Sequence, residues 1–238
     1  MYFKHFRMRI KKDIDSCRTC IYRQMLFGDL DDFEYKLINK ARTERFYRKG
    51  EVIKNQGEKV DSFLYLRKGL VKLFKTDKRG KEKILSINKP GDFVNLLNIF
   101  SKTNYKYSIE AIEDTLVCDV DLEVLEHVIC TNGDFAMRVL NRMSKISDEI
   151  IENRFEQAQK QLKGRVATIL LFFADDIYHS LKFDLPITRR EIGELISMTT
   201  ENTIRTFSEF KRDKLINIKT KTIIILDKER LKIIAKSG

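Results

Sequence analysis

The segment Thr188-Arg-Arg-Glu-Ile-Gly-Glu-Leu-Ile-Ser-Met-Thr-Thr-Glu-Asn-Thr-Ile-Arg-Thr-Phe207 decides the fold of the C-terminal part of the chain, because it predicts two short helices joined by a tight turn. Thr188 and Glu191 form a capping box, in which a hydroxyl and a carboxylate satisfy exposed N–H groups at a helix start. Gly193 removes a side chain where a second helix must cross closely. Thr199 can cap that second helix. The segment therefore predicts a helix-turn-helix.

A β-hairpin is predicted directly after these helices. Residues 215–226 place β-branched stretches on either side of a polar turn, and a last short helix is expected from Asp227 to Ala235. A helix-turn-helix followed by a hairpin is the outline of a winged helix. We therefore expect a winged helix-turn-helix domain over residues 161–238.

The second helix carries the candidate DNA-contacting side chains. In a helix-turn-helix, the first residues of this helix face base edges in the major groove. Arg205 can donate two hydrogen bonds to guanine O6 and N7, and Glu201 can accept one from cytosine N4. The two residues are four apart and therefore share one helix face. The candidate DNA-binding set is Thr188, Arg189, Thr199, Thr200, Glu201, Asn202, Ile204, Arg205 and Lys211.

Alternative roles remain open for the charged side chains of this segment. Glu201 and Arg205 could form an exposed ion pair worth about 0.3–0.5 kcal/mol. Such an ion pair is compatible with DNA binding, because a carboxylate can orient an arginine that contacts a base. Four basic residues could each neutralise a phosphate, which adds affinity without sequence information, or could be ordinary solvated charges. They are Arg189, Arg190, Lys211 and Arg212.

The N-terminal part predicts an antiparallel β-roll. From about Phe46 to Val120, apolar clusters alternate with turn signals at regular spacing. Because glycine permits the positive φ of tight hairpin turns, this spacing implies an antiparallel barrel or sandwich without a helix of normal length inside it. The turn signals are Lys49-Gly50, Gln56-Gly57, Lys68-Gly69, Arg79-Gly80 and Pro90-Gly91. We expect this domain to occupy residues 1–130.

A long helix is predicted between the two domains, over residues 131–160. No Pro or Gly follows Gly133 in the helical part of this range. Apolar residues recur there with heptad-like spacing, which is typical of a helix about 27 residues and about 40 Å long. We expect a second copy of the chain to cover this stripe, with packing on the helix's own barrel as the alternative. The stripe consists of Val139, Met143, Ile146 and Ile150.

Composition excludes several classes of protein. The chain has 238 residues, with 46 Lys and Arg against 35 Asp and Glu, and its net charge of +11 points to an anionic partner. No apolar run approaches the roughly 18–20 residues of a membrane span, and the N-terminus lacks the apolar core of a signal peptide. Four Cys are too few for a disulfide scaffold. We expect a cytoplasmic protein without a membrane partner, and, since no hydrolase-like spacing of catalytic residues occurs, not an enzyme.

The helix-turn-helix segment resembles that of the Crp/Fnr family of bacterial transcription regulators, whose second helix similarly carries a Glu and, four residues later, an Arg. Pro90-Gly91-Asp92-Phe93 and the stretches 49–58 and 66–72 are similar to the family's β-roll turns, and Gly164-Arg165-Val166-Ala167 to the start of its DNA-binding domain. The resemblance implies an α+β fold: an N-terminal antiparallel β-roll of the cyclic-nucleotide-binding type, a long dimerisation helix and a C-terminal winged helix-turn-helix domain. It also implies a homodimer on a two-fold symmetric operator in double-stranded DNA, RNA polymerase as a protein partner, and effector control through the roll.

The stretches that bind cyclic AMP in some members of that family differ here. Those members place a Gly-Glu pair after Gly-Asp-Phe, and an Arg-Ser pair on the phosphate. Here the two stretches are Val94-Asn95-Leu96-Leu97 and Tyr107-Ser108. Both the carboxylate for the ribose and the arginine for the cyclic phosphate are missing, so a response to cyclic AMP is not expected. In the second helix, Thr203 and Thr206 stand where the family usually buries larger apolar residues.

The cysteines offer a candidate metal or cluster site. Oxygen-sensing members of the family hold an iron–sulfur cluster on an N-terminal group of Cys and one later Cys, and Cys17, Cys20 and Cys118 match three of those four positions. Leu26 stands where the fourth is expected, whereas a cluster ordinarily takes four thiolates, and zinc meets the same deficit. The alternatives are a Cys17–Cys20 thiol–disulfide switch, or a structural turn with a small buried Cys118. Cys130 is expected to pack against the roll.

The sequence thus predicts a sequence-specific DNA-binding transcription regulator. One alternative is a redox- or iron–sulfur-responsive version of this regulator. Another is a ligand-binding interaction module whose winged domain contacts protein. DNA binding predicts an affinity that falls steeply with salt, whereas the interaction module does not.

Overall fold

The computed structural model describes residues 10–11, 26–28, 30–101 and 104–237, which fall into two compact units. The first unit is drawn from the chain up to Lys75 and from Ser86–Ser147. The second is drawn from Thr76–Leu85 and from Asp148 onward. Within the described ranges, no helix is long and apolar enough to cross a membrane.

Eight short strands are described in the N-terminal part of the chain, all of them in the first unit except Thr76 and residues 82–85. They are β1 (Ile10–Lys11), β2 (Arg42–Tyr47), β3 (Val52–Lys54), β4 (Ser62–Lys68), β5 (Val71–Thr76), β6 (Glu82–Asn88), β7 (Ser108–Ala111) and β8 (Thr115–Asp121). One sheet has the order β1-β2-β8-β4 and the other β3-β7-β5-β6. Strand β8 pairs antiparallel with both β2 and β4, and β7 with both β3 and β5. The predicted β-roll is confirmed.

The helices described alongside these strands are α1 (Asp32–Lys40), α2 (Leu96–Ile99) and α3 (Leu122–Thr131). The four-residue α2 is the one helix described between β2 and β8, as the spacing of the turns predicts.

Glycines close the turns of the roll. All five glycines of the predicted turn signals have a positive φ, between 76° and 95°. At Gly69 space is short as well, because an added Cβ would lie 2.5 Å from the Asp114 carbonyl oxygen and 2.5 Å from Thr115 Oγ1. A side chain at this position would therefore collide with the turn that joins β7 to β8.

The long helix is α4 (Gly133–Gln159), and its 27 residues confirm the predicted length. Asn132 separates it from α3. The Asn132 side chain links three elements: Oδ1 accepts a hydrogen bond from Phe135 N (2.9 Å), and Nδ2 donates to Glu34 Oε2 in α1 (2.9 Å). The start of α4 is thereby fixed to the first unit.

The predicted apolar stripe of α4 is divided between two environments. Val139 is buried, and Met143 and Ile146 are partly buried against the core of the roll. For Val139 the expectation that a second copy covers the stripe is wrong, because the roll of the same chain buries it, whereas the roll covers Met143 and Ile146 only in part. Large apolar side chains of α4 are exposed at other positions, and they are Met137, Leu140, Ile150, Ile151 and Phe155.

The second unit is a winged helix-turn-helix. Its elements are α5 (Leu162–Leu171), a π-helical segment (Phe172–Ile177), β9 (Lys182–Asp184), α6 (Arg189–Leu195), α7 (Thr200–Arg212), β10 (Ile216–Lys219), β11 (Thr222–Ile225) and α8 (Lys228–Ser237). The predicted hairpin is β10–β11, and β9 adds an unpredicted third strand in the order β10-β11-β9. Gly164 lies buried inside α5, so the helix break falls at residues 160–161 and not at this glycine.

Candidate nucleic-acid interface

The first helix of the helix-turn-helix begins with the predicted capping box. Thr188 Oγ1 accepts a hydrogen bond from Glu191 N (3.2 Å), and Thr188 N donates to Glu191 Oε2 (2.8 Å). These two bonds satisfy N–H groups that a helix start otherwise leaves open. Thr188 Oγ1 also donates to Glu191 Oε2 (2.9 Å), so this exposed hydroxyl serves to cap α6.

The two helices meet at Gly193. A Cβ added to this glycine would lie 2.9 Å from the Met198 carbonyl oxygen and 2.9 Å from Thr203 Oγ1. The turn between the helices contains Ser197 with a φ of 56°, and Met198 N donates back to the Gly193 carbonyl (2.8 Å). Glycine is needed here because any side chain would separate α7 from α6.

One face of α7 is buried in the second unit, and it consists of Thr203, Thr206, Phe207 and Phe210. Thr203 Oγ1 donates to the Thr199 carbonyl (3.0 Å), and Thr206 Oγ1 donates to the Asn202 carbonyl (2.9 Å). Each buried hydroxyl is thereby satisfied by the helix itself. This explains how two threonines occupy positions where larger apolar residues were expected.

The opposite face of α7 is exposed from its first turn. Thr199 caps the helix, with Oγ1 accepting a hydrogen bond from Asn202 N (3.2 Å). The exposed side chains that follow are Thr200, Glu201, Ile204 and Arg205. Ile204 is 48% exposed, which places a large apolar surface beside the two charged side chains. The predicted base-contacting residues therefore lie together on a face that the second unit leaves open.

Arg205 is hydrogen-bonded to Asn202. Its Nη2 donates to Asn202 Oδ1 over 2.9 Å. The alternative of a Glu201–Arg205 ion pair is not formed, since no such pair occurs among the ion pairs of the described residues. The side chains at i−3 and i−4 are both neighbours of Arg205 on a helix, and the amide, not the carboxylate, is the one that binds it.

Arg189 packs against the body of the domain. Its guanidinium carbon lies 5.4 Å from the centroid of the Phe207 ring, and the residue is half-buried. Such a cation–π contact is worth about 0.5–1 kcal/mol at an exposed site. It orients Arg189 while leaving N–H groups that can donate to a phosphate.

The other basic residues of the segment are exposed. Arg190 Nε donates to Glu194 Oε1 (3.0 Å) and Arg212 Nε to Asp213 Oδ1 (3.3 Å), whereas Lys211 is exposed in the last turn of α7. Exposed ion pairs contribute about 0–1 kcal/mol, so they are readily exchanged for contacts with phosphate.

A carboxylate one turn beyond Arg205 is engaged by a neighbouring helix. Lys163 Nζ in α5 lies 2.9 Å from Glu209 Oε2. The hydrogen bond from Lys163 holds the pKa of Glu209 below its usual range, with a smaller contribution from the charges of Lys163, Arg205 and Arg212. Glu209 is therefore ionised and tied to α5.

Sequence reasoning missed the basic residues at the tip of the wing. Lys219 and Lys221 are exposed on either side of Thr220, which has a φ of 56° in the turn between β10 and β11. Lys221 Nζ lies 2.9 Å from Asp184 Oδ2 on β9. The available signal was the Lys-Thr-Lys run at a predicted turn.

Two family models match the chain in the order of its two units. A model described as cyclic nucleotide-binding domain matches residues 44–132, and one described as Crp-like helix-turn-helix domain matches residues 164–234. The chain belongs to the Crp/Fnr family. It is thus a Crp/Fnr-type transcription regulator with a DNA-binding helix-turn-helix, and the relatives and domains are those of regulators and not of enzymes.

Relatives align over most of this Crp/Fnr protein. Electron transport regulator A of Shewanella oneidensis is 26% identical over 220 residues, which cover 91% of this chain and 86% of the relative. The cAMP-activated global transcriptional regulator CRP of Salmonella typhimurium is 29% identical over 175 residues, covering 72% and 83%. The structure of FixK2 from Bradyrhizobium japonicum has the same fold, with a TM-score of 0.73 and 24% identity over 83% of this chain and 98% of that one.

Asn95, in the first of the two stretches that correspond to nucleotide-binding segments of the Crp/Fnr family, is hydrogen-bonded within the roll. The side chain is fully buried. Nδ2 donates to the Ser62 carbonyl (2.7 Å) and to Tyr105 Oη (2.9 Å), while Oδ1 accepts from Leu64 N (2.8 Å). Both polar atoms of this amide are therefore hydrogen-bonded to other residues of the roll.

Other residues of the two stretches are also engaged within the Crp/Fnr roll. Leu96 is 2% exposed within the core. Tyr107 Oη donates to the Val94 carbonyl (3.4 Å), and burial raises the pKa of Tyr107 to about 12. Ser108 Oγ accepts from Gln56 N (2.9 Å). Neither stretch contributes a carboxylate for a ribose or a guanidinium for a phosphate.

Cys118 lies in a buried polar cluster of the first sheet. Arg42 Nη1 donates to Cys118 Sγ (3.3 Å), and Cys118 Sγ donates to Glu44 Oε1 (3.8 Å), which also binds Arg67. Burial raises the pKa of the Cys118 thiol, and the hydrogen bond with Tyr65 and the nearby guanidinium groups only partly oppose this. The thiol is thus held by partners of its own chain.

Of the three cysteines proposed as cluster ligands, Cys118 is the one that lies within the described residues. Cys17 and Cys20 lie outside the described residues. Leu26, at the position expected for a fourth ligand, is 1% exposed in the apolar core. No group of three His, Cys, Asp or Glu that could hold a metal occurs in the described ranges.

Cys130 does not pack against the roll as expected. It is an exposed free cysteine. The buried residues of α3 are Leu125 and Val128, and a residue two positions after Val128 points to the other side of the helix.

Proposed function

We propose that this Crp/Fnr regulator binds a two-fold symmetric DNA operator as a homodimer and recognises its bases through α7. The observation that supports this is the division of α7 into two faces. Thr203 and Phe207 on the buried face fix the helix on its domain, while Glu201 and Arg205 on the opposite face are exposed. A helix presented in this way matches the geometry by which a helix-turn-helix enters the major groove.

Each exposed side chain of α7 has a distinct chemistry toward bases. Arg205 can donate a pair of hydrogen bonds to guanine, and Glu201 can accept from cytosine. Ile204 can contact the methyl group of thymine. The half-site we expect therefore contains at least one G·C pair and an adjacent thymine.

Phosphate contacts would hold this helix in its register. Exposed hydroxyls at the two helix starts and basic side chains around the helix-turn-helix and wing would bind the DNA backbone. They are Thr188, Arg189, Arg190, Thr199, Thr200, Lys211, Arg212, Lys219 and Lys221.

The exposed apolar side chains of α4 support dimerisation. At about 100° per residue, Met137, Leu140, Ile151 and Phe155 fall within an arc of about 60° on the helix, and all four are exposed. A stripe this narrow is the seam of a two-helix coiled coil. The centre of this stripe lies about 130° around the helix from Val139 and about 90° from Met143, which pack on the roll. A second copy of α4 is therefore the partner we propose for it.

The effector of the roll is not cyclic AMP in this proposal. The Asn95 amide is occupied by Ser62, Leu64 and Tyr105, and the charged partners of ribose and phosphate are missing. As a transcription regulator the protein would act through RNA polymerase, and it would meet its operator in the cytoplasm.

Selection of bound duplexes from a random pool by the full-length protein tests the proposal. The selected duplex should bind at least about 1,000-fold more tightly than the unselected pool, and its affinity should fall steeply between low and moderate salt. A winged domain that contacts protein would enrich no sequence. That result, or binding that does not depend on salt, would contradict the proposed function.

A further inference from the structure

We propose that Asn202 is a positioning residue for Arg205, so that the base preference due to Arg205 depends on the Asn202 amide and not on the Glu201 carboxylate. This inference rests on the proposed function, because it concerns how one side chain of α7 recognises DNA. The inference adds that the Asn202 amide orients the Arg205 guanidinium before DNA binds.

The Asn202–Arg205 hydrogen bond is anchored at a rigid point of α7. Arg205 Nη2 donates to Asn202 Oδ1 over 2.9 Å. The backbone of Asn202 is held from both sides, because its N–H donates to Thr199 Oγ1 (3.2 Å) and its carbonyl accepts from Thr206 Oγ1 (2.9 Å). Asn202 is also half-buried, whereas Arg205 is exposed. The amide is thus a fixed acceptor for an otherwise free side chain.

The remaining donors of Arg205 stay available for a base. A guanidinium has five N–H donors in one plane, and Asn202 Oδ1 binds at Nη2 alone. A long side chain that is already held loses less rotamer freedom on binding, which corresponds to about 2- to 10-fold in affinity. The amide is neutral, so it orients Arg205 without placing a negative charge beside the DNA backbone.

The acidic neighbours of Arg205 do not provide this orientation. Glu201 is exposed, and the described ion pairs do not join it to Arg205. Glu209 is bound by Lys163 Nζ at 2.9 Å. Glu201 therefore remains free to accept from a base of its own, and the contributions of Glu201 and Arg205 to specificity are separable.

Base substitution in the selected operator, combined with variants of the full-length protein, tests this inference. Arg205→Ala first identifies the base pair whose preference depends on Arg205. Four duplexes that differ at this pair are then compared by competition for the wild type, Asn202→Ala and Asn202→Asp. Ser208→Ala is the matched control, because Ser208 is exposed on α7 three residues from Arg205, but its hydroxyl bonds the Ile204 carbonyl (3.0 Å) and not the guanidinium.

We expect Asn202→Ala to lower the preference at the Arg205-dependent pair by about 2- to 10-fold, with other pairs and the thermal midpoint unchanged. Asn202→Asp keeps an oxygen acceptor and should restore the preference, although its charge weakens binding to all four duplexes alike. Ser208→Ala should match the wild type.

Three results would overturn the inference. The first is an Asn202→Ala variant with wild-type preference at that pair. The second is an equal loss at every pair, which would make Asn202 a merely structural residue. The third is a loss at a pair that Arg205→Ala does not affect, since Asn202 would then contact a base itself. If Arg205→Ala changes no base preference at all, the proposed function fails instead.

Discussion

Gly193 and Thr203 set the separation of the two DNA-binding helices. A Cβ added to Gly193 would lie 2.9 Å from Thr203 Oγ1, and that hydroxyl is itself directed to the Thr199 carbonyl (3.0 Å). Thr203 is fully buried at this crossing. The close contact of Gly193 with Thr203 therefore positions α7, and with it the exposed face of that helix. The Thr203 hydroxyl can be buried at this contact because it is hydrogen-bonded to the Thr199 carbonyl.

Gly193→Ala should destabilise the protein. The added methyl group meets the Met198 carbonyl and Thr203 Oγ1, and overpacking of this kind costs about 1–3 kcal/mol. Urea denaturation would measure the free energy of unfolding. Gly133→Ala is the matched control, because nothing lies within 4 Å of a Cβ at Gly133. If the two substitutions lowered the free energy of unfolding equally, the close approach of the helices at Gly193 would not be the cause of the destabilisation.

Thr188→Ala should lower stability without changing base preference. Loss of the cap removes the hydrogen bond from Glu191 N, at a cost of about 1 kcal/mol. Thr200→Ala serves as control, since within the described residues the exposed Thr200 side chain makes no hydrogen bond. Thermal unfolding measures the stability, and competition between operator duplexes measures the base preference. A changed base preference at constant stability would make Thr188 a base-contacting residue instead.

Ile151→Glu should convert the dimer to a monomer, because a charge in the proposed α4 seam cannot be buried without a partner. Sedimentation equilibrium gives the oligomeric state directly. Ile150→Glu is the control: Ile150 is also exposed, at 46%, but lies about 100° away around the helix. Dissociation by Ile150→Glu and not by Ile151→Glu would place the seam on another face.

Cyclic AMP should leave the thermal midpoint of the protein unchanged. A ligand present at 100 times its Kd would stabilise the folded state by about 2.7 kcal/mol, which a thermal shift detects easily. The hydrogen-bonded Asn95 and the buried Leu96 offer no partner for ribose or phosphate. A midpoint that rises with cyclic AMP would refute this expectation.

Native thiol labelling should separate Cys118 from Cys130. Cys118 is buried and burial raises its pKa, so its thiolate fraction near neutral pH is small, whereas Cys130 is exposed. A maleimide reagent should therefore modify Cys130 within minutes and Cys118 only on unfolding. Peptide mass spectrometry locates the label. Rapid modification of Cys118 in the folded protein at neutral pH would contradict its burial.

Local signals in the sequence sufficed for the turns and caps. The five turn glycines and the Thr188–Glu191 capping box depend on neighbours only a few residues away, so their chemistry is visible in the sequence. Strand β9 was missed because it has three residues, Lys182–Asp184, and one apolar side chain. Its pairing with β11 is a long-range contact that no short pattern indicates.

The interior face of α4 could not be predicted from spacing. The Val139–Met143–Ile146 stripe and the Met137–Leu140–Ile151–Phe155 stripe both recur at helical intervals. Only the position of the roll decides which stripe is buried.

The sequence predicted which residues form the candidate site, but not which of them are hydrogen-bonded to each other. The exposed residues of α7 follow from the helix-turn-helix pattern. The partner of Arg205 does not, because Asn202 and Glu201 are both within reach on a helix surface and side-chain geometry selects between them.

Duplex selection with the wild type and with Arg205→Ala tests the central claim most directly. We predict that the wild type enriches a two-fold symmetric sequence whose half-sites are about one helical turn apart. Arg205→Ala should enrich the same sequence with one G·C pair in each half-site no longer specified. An unchanged motif with Arg205→Ala, or a wild-type motif without two-fold symmetry, would contradict base recognition by α7 in a dimer.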